Sequence, residues 1–546
     1  MREDFRRTEK KAETQVLVVD GYLDEPSLLG VPPYISPEPR LLAGVLEEEC
    51  LDWEYVTADE YRVSGLPKAD KILVYGGATV PGNYLSATPL SQREAEEISK
   101  NAGETFLGGP LARYENVSGY DHYVEKDFSA YFHDYLTGRP RDRWITPKER
   151  ERWLVKGTEV VKRHPMYPDP LIAEMSMYRG CPRYFTGGCS FCSEPYYGEP
   201  VFREQDNIVR EIKTLYDLGL RNFRLGGQSC TISYRAEGIG SREVPVPQPK
   251  EIKILFEDIT ETCPDIKVLH LDNANPAVIS SYPQRSRKIL KILVKHTSPG
   301  NVLALGMESA DPEVIRQNNL NANPKQVEDS VRIINEIGRG RGVNGMPKLL
   351  PGINFLGGLK GESSNTYEKN FDFLEKIKNE GYLLRRINIR QVLSRKGEFK
   401  MDYKSDFVKF KKKVREKIDR PLLKKMLPRG TLLRDVYMEK REGNKTFGRQ
   451  IATYPLLVGV EYPLDLGKYY DIAVTDYGYR SITGVHQPLP VSKASLRQLK
   501  AIPGVGEKRA AKIFRKQPNN EGEFKELFQE EDVVVKILKF LQFNQS

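Results

Sequence analysis

MSMYRGCPRYFTGGCSFC, running from Met175 to Cys192, puts three cysteines within twelve positions, directly after an apolar run with the makings of a buried strand. Thiolates are the preferred ligands of iron–sulfur clusters. Three of them, Cys181, Cys189 and Cys192, would leave one iron of a [4Fe–4S] cubane open to a small molecule with amino and carboxylate groups. Gly180, Gly187 and Gly188 let the backbone curl closely around such a group. Zinc is the competing reading, but it asks for a fourth protein ligand or a catalytic water. The nearest histidines, His164 and His270, lack motif spacing. The other cysteines, Cys50, Cys230 and Cys263, stand apart, and Cys230 reads as a packing residue rather than a fourth thiolate.

Outward from this motif, βα alternation fills residues 170–395. Candidate strands are IAEMSM, FRLGG, VLHLDN, VLALGM and INFLGG. Between them lie amphipathic helices such as DNIVREIKTLYDLG and PKQVEDSVRIINEIG, each closing on a glycine read as a C-cap. The pattern implies a full or partial α/β barrel with its site at the C-terminal ends of the strands. Upstream, QVLVVDGY, KILVY and Thr105–Leu107 alternate with helical stretches. Residues 15–137 are therefore read as a doubly wound, flavodoxin-like α/β domain, with a proline-rich loop at Pro26, Pro32, Pro33, Pro37 and Pro39. Residues 138–169 form a linker with one helix.

Downstream the chain changes character. Twelve Lys and Arg face four Asp and Glu between Lys400 and Gly430, so residues 400–429 carry nearly all of the net charge of +9. This reads as a polyanion-binding surface or as one solvated helix face. Residues 430–485 break into short runs punctuated by Gly, Asp and Asn, the pattern of a small β-barrel. A helical domain follows over 492–546. No apolar run reaches the ~20 residues that span a bilayer. The opening MREDFRRTEKKAET has no apolar h-region, and six cysteines make no disulfide framework, so a cytoplasmic protein without membrane partners is expected.

The Cys-x-Phe-Cys ending, the strand before it and the βα units after it resemble the radical S-adenosylmethionine (SAM) superfamily. The family spaces its first two cysteines by three residues, whereas Pro182 to Gly188 make seven here. Three later stretches fall in matching order. RLGGQSCTISY (Arg224–Tyr234) resembles the glycine-rich strand end that holds the SAM amino group, which points to Gly226, Gly227 and Gln228. LGMESADP (Leu305–Pro312) resembles the family's Glu-Ser strand, which makes Glu308 and Ser309 candidate SAM contacts. LPGINFLGGLKGES (Leu350–Ser363) resembles the strand whose turn supports adenine, on which Phe191 is read to pack. The resemblance implies a [4Fe–4S] cluster, SAM, and a reductant protein for the cluster. SAM would be cleaved to a 5′-deoxyadenosyl radical.

Residues 430–484 resemble the TRAM domain of tRNA methylthiotransferases, through Gly448-Arg449, the Gly467 turn and Ser481–Gly484, and the INIRQVLSRKGE stretch (387–398) matches the core of those enzymes in position. LKAIPGVGEKRAAKIF (Leu499–Phe514) resembles a helix-hairpin-helix. There Gly504 and Gly506 admit a phosphate to the N–H groups opening the second helix, with Lys508, Arg509 and Lys512 adding charge. A protein-docking hairpin is the alternative. The order of domains resembles an archaeal-type radical SAM family ending in this hairpin. A nucleic acid substrate is expected, RNA before DNA, with Arg449 as a further contact.

Two features limit the likeness. Methylthiotransferases hold a second cluster on three N-terminal cysteines, and this chain has only Cys50 there. The N-terminal domain also resembles cobalamin-binding domains, yet no Asp-x-His-x-x-Gly occurs, so cobalamin stays open only without a histidine ligand to cobalt. The rival readings are a cobalamin-dependent radical SAM methyltransferase and a non-catalytic nucleic-acid binder with a structural cluster. A structural cluster of DNA-glycosylase type needs four cysteines beside its hairpin, and here the two are far apart.

Overall fold

The computed structural model describes residues 14–22, 34–77, 87–392, 399–528 and 530–543, which fall into two compact units. The charged N-terminal stretch, Pro26, Pro32 and Pro33, and residues 393–398 of the INIRQVLSRKGE stretch lie outside the described residues.

The first unit contains the strands Thr14–Gly21 (β1), Tyr34–Ile35 (β2), Trp53–Thr57 (β3), Ala69–Gly76 (β4), Glu104–Gly108 (β5), His122–Val124 (β6) and Ile172–Met175 (β7). Five of them form a parallel sheet in the order β3-β1-β4-β5-β6, a doubly wound arrangement. Val16 to Val19 on β1 are fully buried, as a central strand covered on both faces requires. Helices open on matched caps: Thr57 with Glu60, Ser91 with Glu94 and Thr146 with Glu149 each form a reciprocal capping box. The helix Gln205–Asp217 belongs to this unit and is tied to the helix Pro37–Glu48 by the fully buried ion pair Arg40–Glu211, at 2.7 Å.

Asp20, at the end of β1, is buried and accepts from the Tyr55 hydroxyl at 2.7 Å and from the Tyr22 amide at 2.9 Å. Burial raises its pKa to about 6. A carboxyl raised in the folded state contributes its full stability below pH 3.8 and loses it as pH rises through 6. Asp20→Asn keeps the shape, and the Tyr55 hydroxyl can turn to accept from the amide. The variant is expected to melt as the wild type does below pH 4 and to be about 3 kcal/mol more stable at pH 8. Melting curves at the two pH values check this; equal gains at both would assign the effect to packing.

The second unit begins with Tyr178–Arg179 (β8) and Val201–Phe202 (β9), which pair antiparallel and pinch together the two ends of the cysteine loop. Asn222–Leu225 (β10) and Val268–Leu271 (β11) pair in parallel. Asn273–Ala274 (β12), Asn301–Glu308 (β13), Leu349–Gly357 (β14) and Ile387–Gln391 (β15) form a second parallel set, in that order. Helices at 249–262, 283–296, 324–338 and 366–379 alternate with these strands. Gly338 differs from its expected role as a C-cap. It is the last helical residue, and a Cβ there would stand 2.3 Å from the Leu349 carbonyl, so glycine permits the helix to approach β14. The helix Gln205–Asp217 does end at a left-handed glycine, Gly219 with φ +104°.

The basic segment is helical over 404–426, with one π-turn at Arg415–Asp419. It is no free-standing charged helix: Phe407, Phe410, Val414, Ile418, Leu422 and Met426 are buried along one face. Leu432–Glu442 (β16), Lys445–Gln450 (β17), Leu457–Val460 (β18), Tyr469–Tyr477 (β19) and Ser481–Gln487 (β20) close into a barrel, and short helices follow to Leu538. Barrel, basic helix, terminal helices and the base of β13 and β14 share one apolar core. No helix among the described residues is long and apolar enough to cross a membrane.

Candidate metal and cofactor site

The cysteine loop is shaped by its own turns. The Tyr184 amide donates to the Cys181 carbonyl at 3.0 Å, and the Cys192 amide to the Cys189 carbonyl at 3.0 Å. Gly180, Gly187 and Gly188 have φ of +97°, +80° and +63°, conformations that strain any side chain. The seven-residue spacing supplies Arg183, which the sequence reading missed. Its backbone N–H donates to Cys181 Sγ at 3.5 Å and its guanidinium to Cys189 Sγ at 3.3 Å. Asn319 fixes that guanidinium from across the loop, accepting at 2.9 Å through its carbonyl and at 3.0 Å through its side chain. An arginine inside a cysteine loop was the available signal.

Burial raises all three thiols, Cys189 to about 12, and the Glu308 carboxyl adds to the effect on Cys189. Thiols in such a setting ionise only when a cationic centre repays the cost. The count of three and the buried Arg183 cation beside Cys189 fit a cubane cluster. Cys230 is buried and accepts from the Asn275 amide at 3.2 Å, the packing role expected of it.

Glu308 ends β13 at a register irregularity, with φ +59°. Its carboxyl has no hydrogen-bond partner among the described residues, and burial raises its pKa to about 8. Gly306 leaves room beneath it, since a Cβ there would come within 3.4 Å of both carboxyl oxygens. Glu308 is thus a carboxylate held in a costly conformation without a protein partner, facing the cysteine loop. Phe191 packs half-buried with Leu356 and Phe399 against Val314, Leu359 and Val392. Gly227 is exposed, with φ +74°, beside buried Gly226.

Two expected contacts are committed elsewhere. Gln228 is buried, donates to the Leu225 carbonyl at 2.8 Å and to Thr231 at 3.2 Å, and accepts from the Met177 amide at 3.3 Å; its side chain holds the turn together. Ser309 is buried, donates to Asn370 at 3.3 Å and accepts from the Asp311 amide at 3.1 Å.

Among the expected nucleic-acid contacts, Arg449 is corrected. It is fully buried inside the barrel in a two-pronged ion pair with Glu439, at 2.7 and 2.6 Å, and no nucleic acid can reach it. At the hairpin, Gly504 has φ +86° and Gly506 caps the helix Glu507–Lys516 with open space around it. Lys508 is exposed and unpaired among the described residues. Arg509 is engaged by Glu530 and the Gly504 carbonyl, and Lys512 by the Leu527 carbonyl at 2.6 Å.

Residues 175–374 match the family model of the radical SAM superfamily. An uncharacterized protein of Methanocaldococcus jannaschii is 44% identical over 508 residues, 86% of this chain and 93% of that one. The chain belongs to the radical SAM superfamily, in one family with this archaeal relative. The tRNA-2-methylthio-N(6)-dimethylallyladenosine synthase of Acinetobacter baylyi is 24% identical over 222 residues, 40% of this chain and 41% of that one. Among solved structures, the radical SAM methyltransferase TsrM of Kitasatospora setae matches at 15% identity and a TM-score of 0.44, over 69% of this chain and 73% of that one. The family uses a [4Fe–4S] cluster and SAM, and Cys181, Cys189 and Cys192 are the residues here that fit the cluster.

Proposed function

We propose that this radical SAM enzyme modifies RNA. The observation that carries the reading is the run of modules behind the core: a basic helix, a closed five-stranded barrel and a hairpin whose Gly504, Gly506 and Lys508 face solvent. The partial match to a tRNA-modifying synthase agrees with it. When bound, the cluster and SAM supply reductive cleavage of SAM to a 5′-deoxyadenosyl radical. The chain's own residues hold and orient. Cys181, Cys189 and Cys192 present three sulfurs, Arg183 keeps two of them in place, Glu308 and the Gly226-Gly227 turn receive the polar end of SAM, and Phe191 walls the adenine.

Fluorescence anisotropy with a single-stranded oligoribonucleotide tests the substrate class. Log affinity is expected to fall linearly with log salt, and Lys508→Glu to weaken binding and lower the slope by about one. No binding at low salt, with the SAM-cleaving activity intact, would reject RNA as the substrate.

The sheet order β3-β1-β4-β5-β6 favours a second reading, a corrinoid-dependent methyltransferase. No histidine precedes His122, so no loop after β1, β3, β4 or β5 offers an imidazole to cobalt. The domain does not fit a histidine-ligated corrinoid. Corrinoid absorbance copurifying with the chain would revive this reading without that ligand.

A further inference from the structure

A cleft in the second unit is lined by Arg385, Arg386, Asp419, Tyr479 and Arg480, with Leu423 on its apolar wall. Three segments meet there: the residues entering β15, the basic helix, and the tight turn between β19 and β20. Arg415 closes on it too, pairing with Asp419 and donating to the Ile387 carbonyl at 3.2 Å. Four guanidinium groups therefore face one carboxylate, a net of three positive charges. Asp419 is taken up by Arg415 and stands 4.0 Å from Arg480.

Arg386 is committed to Asn388, but Arg480 and Arg385 keep donors in hand. Arg480, with 16% of its side chain exposed, donates no hydrogen bond among the described residues. Arg385 gives one N–H to the Tyr454 carbonyl at 2.9 Å and keeps its Nε buried without a partner. Burial lowers the pKa of Arg385 to about 10. Burial, together with Arg415 and Arg386, pushes Arg480 well below the usual range. Lys411 is pushed down as well, by burial, Arg415 and Arg480. A guanidinium does not give up its proton in a protein, so this repulsion persists until an anion enters. Forked N–H donors suit the oxygens of a phosphate, and two forks converging from different segments give it a defined seat.

We propose that this cleft binds a phosphate group, held by Arg385 and Arg480 between the core, the basic helix and the β-barrel. The group has two sources of the same chemistry: a phosphodiester of an RNA chain, or free phosphate or a small phosphate ester that pins the three segments together. The site itself does not depend on the RNA reading.

The test uses the full chain in phosphate-free buffer, titrated with inorganic phosphate at an ionic strength held constant with chloride. Phosphorus NMR of the wild type is expected to show saturable broadening at one site per chain, and the melting temperature to rise with phosphate but not with chloride. Arg480→Gln is expected to weaken phosphate at least tenfold, and Arg480→Lys by less, since it keeps the charge and loses the fork. A wild type without phosphate-specific broadening overturns the proposal. So does an Arg480→Gln chain that folds and binds phosphate unchanged. An oligoribonucleotide then separates the sources: competition for the broadened signal assigns the seat to the RNA backbone. Phosphate and RNA bound side by side assign it to a small phosphate; either outcome keeps the site.

Discussion

The Cys189→Ala variant is expected to form no 5′-deoxyadenosine when reconstituted anaerobically with iron and sulfide, reduced, and given SAM. The wild type is expected to hold about four irons per chain and to cleave SAM slowly without substrate. Cys189 is the most telling of the three candidate ligands because two other groups act on it. It accepts from the Arg183 guanidinium at 3.3 Å, and the Glu308 carboxyl acts on it most strongly among neighbouring charges. Removing the sulfur leaves two thiols and a buried cation that has lost an acceptor. Iron content and product are read from the same sample. A Cys189→Ala chain that keeps its iron and still cleaves SAM would exclude this loop as the cluster site.

Glu308→Gln carries the second large effect. Glu308 stands in left-handed backbone, which costs roughly 1–2 kcal/mol for a side chain of its kind. Its carboxyl is raised to about 8 and finds no partner among the described residues. Both costs make sense if a cationic or hydroxyl-bearing ligand receives the carboxylate. Glutamine keeps the size and loses the charge. We expect kcat/KM for SAM to fall about a hundredfold, close to 3 kcal/mol, the loss typical of a hydrogen bond to a charged group. The ligand-free variant is expected to melt no lower than the wild type, because burial opposes ionisation of the carboxyl and the amide has no ionisation to lose on folding. Unchanged SAM affinity with a lower melting temperature would assign Glu308 a structural role instead.

Much of this was legible before any coordinates. The strands IAEMSM, VLHLDN and VLALGM fall where they were read, because a β-branched or apolar run ending at a turn residue has few other uses. The small barrel was legible from its punctuation. Trp53–Thr57 and His122–Val124 were not, since Trp-Glu-Tyr-Val-Thr is half polar and His-Tyr-Val is only three residues long. In the candidate site, the cysteines and Glu308 can be named from the sequence because their chemistry is carried by residue type. The site was illegible where the role depends on direction. Arg183 and Arg449 are both arginines in short glycine-containing motifs, yet one turns toward two sulfurs and the other into the barrel onto Glu439. Gln228 shares the glycine-rich turn but spends its amide on neighbouring backbone. Sequence spacing names such residues without fixing where their side chains point.

The loop between β17 and β18 links the barrel to the core. The Tyr454 hydroxyl donates to Asp272, which is fully buried and also holds Arg224, and the Thr453 amide donates to His270. Asn273, next to Asp272, donates to the Gln228 carbonyl in the turn that would receive SAM. A polar relay only a few side chains long therefore joins the module that would grip a polymer to the pocket that would grip the cofactor. Cutting the chain ahead of residue 430 would strip a buried carboxylate and a buried imidazole of their lids, so the core is not a transplantable part. A polymer that strained the barrel on binding would pull on contacts one strand end away from the turn proposed for SAM.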